Sequence, residues 1–151
     1  MTNARRLAAS VFTAAVLTAG LIAGTAGAAN AATTISKSTI DGKMPAAMGC
    51  KADQKTIYHK LIKNGAGTPL GYIDLMASNH CHSVWAHVHS TSKTRDIFAQ
   101  IVRKNGSSYA AGATGTTDLN TQMLWDKGTT SHAIGMIATP NGTFKVQTAN
   151  Y

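Results

Sequence analysis

Glutamate does not occur in this chain: all six acidic residues are aspartates, set against 14 lysines and arginines. That removes one of the common oxygen ligands of a metal centre. Cysteine is nearly as scarce, with Cys50 and Cys81 alone. Beyond residue 31 no apolar run is long enough to cross a bilayer. No G-x-S-x-G occurs and no serine sits in a strand-to-helix elbow, which excludes that kind of activated nucleophile. No glycine-rich loop leads into Lys-Ser or Lys-Thr, and the GATG of residues 112–115 reads as a turn. The lysines are scattered without a run of like charge, and helical periodicity is hard to find.

What is there divides the chain in two. Arg5 and Arg6 precede an uncharged apolar run over residues 7–23, small residues follow, and Ala29-Asn30-Ala31 makes an A-x-A site. This is the plan of a secretory signal peptide over residues 1–31, with cleavage expected between Ala31 and Ala32. The arginine pair lacks the Phe-Leu context of twin-arginine export, so the general secretory route and an extracellular location are expected. The mature chain then carries 12 basic against 6 acidic side chains, a net of +6. That balance favours polyanions, yet the dispersed lysines point to a solvated surface rather than a specific nucleic-acid site. Two cysteines in an exported chain most simply form one disulfide. Closing a loop of about 32 residues is worth roughly 3.5 to 4 kcal/mol in the chain-entropy model.

Residues 32–48 are small and polar with no clear period, and read as a flexible lead-in. From there to residue 151 the pattern is of short strands between tight turns: 56–63, 70–76, 83–89, 96–104, 107–111, 122–126, 132–139 and 143–148. Three Asn-Gly pairs, at 64, 105 and 141, are hairpin signals, because both residues tolerate the positive φ of primed turns. The run 96–104 is apolar on both faces and predicts a strand in a buried position. A short helix fits only around residues 46–56. Together these features predict an all-β domain, a small antiparallel sandwich or barrel of about eight short strands with one disulfide.

The stretch 73–89, IDLMASNHCHSVWAHVH, holds Cys81, Trp85 and four of the six histidines. Counting by twos from Cys81 places Ser83, Trp85, His87 and His89 on one face and His82, Val84, Ala86 and Val88 on the other. Gly71, Ile73-Asp74-Leu75, Ser78, Cys81 and Trp85-Ala86, with Met123-Leu124-Trp125-Asp126 downstream, resemble the YjfA-like family of small secreted bacterial proteins. The likeness covers about residues 49–151. It implies a secreted, cysteine-bridged domain of unknown function with no catalytic residues. The chain departs from it at Met76, His82 and His87, where that family usually has arginines, and at Asn79 in place of a turn proline.

His80-Cys81-His82 and His87-x-His89 invite a metal reading, since imidazole and thiolate bind zinc and copper. Against it, Cys50 claims the Cys81 sulfur, parity separates His82 from His87, and the nearest acid, Asp74, lies before the turn. No metal and no cofactor is expected. His59, Lys60, His87, His89 and His132 could instead support a ribonuclease-like hydrolase, provided two of the histidines share a cleft. Trp85 and Trp125 sit in apolar strands and are expected in the core rather than stacked on a ligand. The reading is a secreted, non-enzymatic binding or assembly module. Its candidate ligand-binding residues are His80, His82, His87, His89 and Trp85, and its expected partner is another secreted protein or an anionic cell-envelope polymer. The alternatives are the histidine-dependent hydrolase and a metal-binding protein.

Overall fold

The computed structural model describes residues 34–151. The expected signal peptide and its cleavage site lie outside them. After one helical turn, α1 (Lys37–Ile40), come nine strands: β1 (Lys55–Lys63), β2 (Pro69–Ser78), β3 (Ser83–Ser90), β4 (Asp96–Arg103), β5 (Ser108–Ala113), β6 (Asp118–Asn120), β7 (Leu124–Trp125), β8 (Ser131–Thr139) and β9 (Gly142–Gln147). All pairings are antiparallel. One sheet runs β1-β2-β3-β6, with β7 also on β3, and the other runs β5-β4-β8-β9. The all-β expectation holds. The strand missed in the sequence is β6, whose three residues, Asp118-Leu119-Asn120, carry too little apolar alternation to announce themselves.

The alternation of side chains decides the layers. Ile73, Leu75 and Ala77 of β2 and Val84, Ala86 and Val88 of β3 face the second sheet and bury against Ile97, Ala99 and Ile101 of β4. Burying each larger aliphatic side chain is worth about 1.5 to 3 kcal/mol. β4 is central, as expected, but only its inward side is fully buried; Phe98, Gln100 and Val102 are half-covered. Gly135 lets the sheets approach, because a Cβ there would lie 2.7 Å from that of Ile73.

The Asn-Gly turns form where expected but not as primed turns. Gly106 and Gly142 take positive φ, whereas Gly67 rather than Gly65 does so in the first loop. None of the three asparagines does. Asn64 and Asn105 act through their side chains instead, each Oδ1 accepting the N–H two residues on.

The lead-in is not loose. Residues 34–53 lie across the outer face of the first sheet, where Ile40 and Cys50 join Met76, Cys81, Trp85 and Met123 in a second core. Gly42 N–H donates to the Met123 carbonyl and Met123 N–H to that of Lys43. Cys50 and Cys81 form the disulfide. Asp41 receives the Arg103 guanidinium at 2.8 and 3.3 Å, and Arg103 is only 2% exposed. The expected helix around residues 46–56 is a succession of turns, with α1 lying earlier.

Candidate functional site

The N-terminal segment covers only half of that outer face. On the bare half two cross-strand rows run side by side. One is His59–Asp74–His87–Asn120 and the other Leu61–Tyr72–His89–Asp118, read across β1, β2, β3 and β6. They face outward because Ile73, Leu75, Ala86 and Val88, one residue out of phase, take the inner face. The parity count on β3 therefore holds. Gly71, at the head of β2, permits the close pairing beside them, since a Cβ there would sit 1.9 Å from the His89 carbonyl oxygen.

Two carboxylates organise three imidazoles. Asp74 Oδ1 lies 2.7 Å from His59 Nδ1, and its Oδ2 lies 3.5 Å from His87 Nδ1. Asp118 Oδ1 lies 2.9 Å from His89 Nδ1 and 3.2 Å from His87 Nε2. An ionised carboxylate only accepts, so His59 and His89 each donate from Nδ1 and turn Nε2 away. Thr117 Oγ1 donates to the other Asp118 oxygen at 2.7 Å. Burial alone would raise the Asp118 carboxyl. The hydrogen bonds from His89, Thr117 and His87, with the His89 charge, outweigh it and hold the pKa down to about 2.

Tyr72 stands between the histidines. Its ring stacks on His89 at 4.9 Å between centroids, tilts against His59 at 4.8 Å and meets the edge of His87 at 6.0 Å. Partial burial, then the charges of Asp74 and Asp118, raise the phenol above its ordinary value. The face is graded in exposure: Asp74 is nearly covered, His87 and His89 are partly open, and His59 and Asp118 are half exposed. Its formal charge is −2 with neutral rings and +1 with all three protonated.

The other candidates lie elsewhere. His80 is exposed in the β2–β3 turn, where its N–H donates to Asp53 Oδ2 at 2.9 Å. His82 adopts φ 46° in the same turn and meets Trp125 edge-on at 5.4 Å. Trp85 is fully buried, with its indole N–H on Asn120 Oδ1 at 3.2 Å, so it cannot stack on a ligand. Lys60 turns the other way, to the Gln147 carbonyl, and His132 lies on the second sheet beside Asn150. Asp74, expected to be cut off by the turn, is directly opposite His87. Tyr72, Asp74 and Asp118 were missed; the alternation of Tyr72 and Asp74 with Ile73 and Leu75 is the signal that finds two of them. Cys81 is held in the disulfide, and among the described residues no three His, Cys, Asp or Glu side chains converge as metal ligands.

A family model described as protein of unknown function (DUF2690) matches residues 38–134. That span holds both cysteines and every residue of the histidine face. Its description names no activity or partner and does not carry the YjfA-like name. No curated protein and no solved structure matches the chain.

Proposed function

We propose that this chain, which belongs to the DUF2690 family, is a secreted binding module that contacts an anionic cell-envelope polymer through the histidine face. The observation that carries this is the bare half-sheet itself: three imidazoles, a tyrosine and two carboxylates are ordered by one another on an open, extended surface. An extended strand face suits a polymer. The YjfA-like resemblance, the signal-like composition of residues 1–31 and the disulfide all support an extracellular setting. The net charge of +6 supplies long-range attraction, and protonation of the imidazoles turns the face from anionic to cationic.

Binding of the full chain to a polyglycerol-phosphate polymer tests this. Affinity should rise from about pH 8 to about pH 5, where imidazoles titrate, and fall with salt. The double variant His59→Gln/His89→Gln should flatten the pH dependence. No binding, binding indifferent to pH, or a double variant that behaves like the parent overturns the proposal.

One feature favours a second reading. His59 and His89 flank Tyr72 with their Nδ1 atoms on carboxylates and their Nε2 atoms unengaged, as a general base and acid would be held. The half-exposed His59 and Asp118 favour binding instead, since acid–base catalysis gains most in a site closed to water. Digestion of RNA by the full chain decides between them. Cleavage reduced two to four decades by His59→Gln or His89→Gln would establish the hydrolase.

A further inference from the structure

Three loops meet at one end of the sandwich and enclose a cavity of about 480 Å³. The β1–β2 loop brings Asn64, with Leu70 from the start of β2. The β3–β4 connection brings Arg95, and the β8–β9 turn brings Pro140 and Asn141, followed by Phe144. No carboxylate lines it. Loop ends carried on a rigid sandwich are where binding sites concentrate.

The arginine is fixed by one nitrogen only. Its Nη1 donates to the Leu70 carbonyl at 3.0 Å and to Thr91 Oγ1 at 2.8 Å. Thr91 is itself pinned, its N–H and hydroxyl both donating to that same carbonyl. The guanidinium is thereby anchored, while the edge made by Nε and Nη2 has no partner among the described residues. That edge is a two-pronged donor matched to two oxygens of one anionic group. Asn64 spends its Oδ1 on the N–H groups of Ala66 and Thr68, which leaves its amide NH2 available. The Asn141 side chain makes no hydrogen bond among the described residues. Below these donors lie the apolar surfaces of Leu70, Pro140 and Phe144.

We propose that this cavity is a binding site for a small carboxylate bearing an apolar group, with Arg95 clamping the carboxylate, Asn64 and Asn141 bonding the adjoining polar atoms, and Leu70 and Phe144 receiving the apolar part. It is independent of the histidine face, and one cation without a neighbouring acid sets its preference for an anion.

The test uses N-acetylphenylalanine, its amide and inorganic phosphate, titrated into the full chain and followed by amide NMR. N-acetylphenylalanine should give saturable shifts at millimolar concentration, centred on Arg95, Asn141 and Phe144. The amide and inorganic phosphate should each bind at least about tenfold more weakly, one lacking the charge and the other the apolar group. Arg95→Lys should lose about tenfold, because an ammonium cannot make the paired contact. Should that change disturb the loop, Asn141→Asp keeps the turn and places a like charge in the cavity, with the same loss expected. His59→Gln/His89→Gln should bind the probe like the parent. No saturable shift, equal binding of acid and amide, phosphate as tight as the probe, indifference to Asn141→Asp, or loss in the histidine variant would each overturn the assignment.

Discussion

Removing the Asp41 carboxylate should destabilise this domain far more than its position near the start of the mature chain suggests. Arg103 is 2% exposed and its two terminal nitrogens grip both Asp41 oxygens, while Nη2 also donates to the Trp125 carbonyl. The same carboxylate accepts the Trp125 N–H. Asp41→Ala leaves a guanidinium buried without its counter-charge and strips Trp125 of an acceptor; breaking a buried pair in this way costs about 3 to 5 kcal/mol. Against a total stability of about 5 to 15 kcal/mol, that is a large fraction. At about 4 °C per kcal/mol for a domain of this size, the melting temperature should fall by roughly 12 to 20 °C. Urea unfolding, followed through the tryptophans, measures the loss directly. Asp41→Asn separates charge from hydrogen bonding, since the amide oxygen still serves Trp125. Adding Arg103→Met to Asp41→Ala should restore at least about 1 kcal/mol, because an apolar chain of similar length removes the stranded charge. A loss below about 1 kcal/mol in Asp41→Ala, or a double variant no better than the single, would refute the reasoning.

Two further outcomes are expected. Cys50→Ala/Cys81→Ala should cost about 3.7 kcal/mol in urea unfolding, from a sequence separation of 31 in the chain-entropy model. The fold should survive, because the core between the sheets does not include the bridge; a loss under about 1 kcal/mol contradicts this. Asp118 contributes stability that is full above its unfolded pKa of 3.8 and is lost as pH falls through about 2. The undiscounted value is about 2.4 kcal/mol, which solvent screening at a half-exposed carboxylate brings to about 1 kcal/mol. Asp118→Asn should therefore be about 1 kcal/mol less stable near neutral pH and indistinguishable from the parent by about pH 2. A gap that persists at low pH would place its origin outside the carboxylate charge.

Much of the architecture could be read from residue order because its causes are local. Alternation is a property of adjacent residues, so the inward set Val84, Ala86, Val88 and the outward set Trp85, His87, His89 followed from counting by twos. Turn positions followed from Asn and Gly, although the way each turn closes depended on hydrogen bonds that composition does not specify. With only two cysteines, the disulfide had one pairing open to it.

The candidate site was legible only in fragments. His87 and His89 were singled out on β3, but the partners that give them meaning come from β1, β2 and β6, up to 31 residues away in sequence. Strand register, a long-range property, is what sets Asp74 opposite His87 and Asp118 opposite His89. The same holds for the polar segment 34–53. Its composition reads as a loose end, yet Ile40, Cys50 and Asp41 each find a buried partner on a distant strand. Sequence alone determined the all-β class, the inward and outward faces of β3 and the disulfide, because neighbouring residues encode them. Which half of the outer face is covered and which is left open to hold histidines, carboxylates and Tyr72 together was decided by tertiary structure, because it depends on where a polar N-terminal segment docks across strands it never neighbours in sequence.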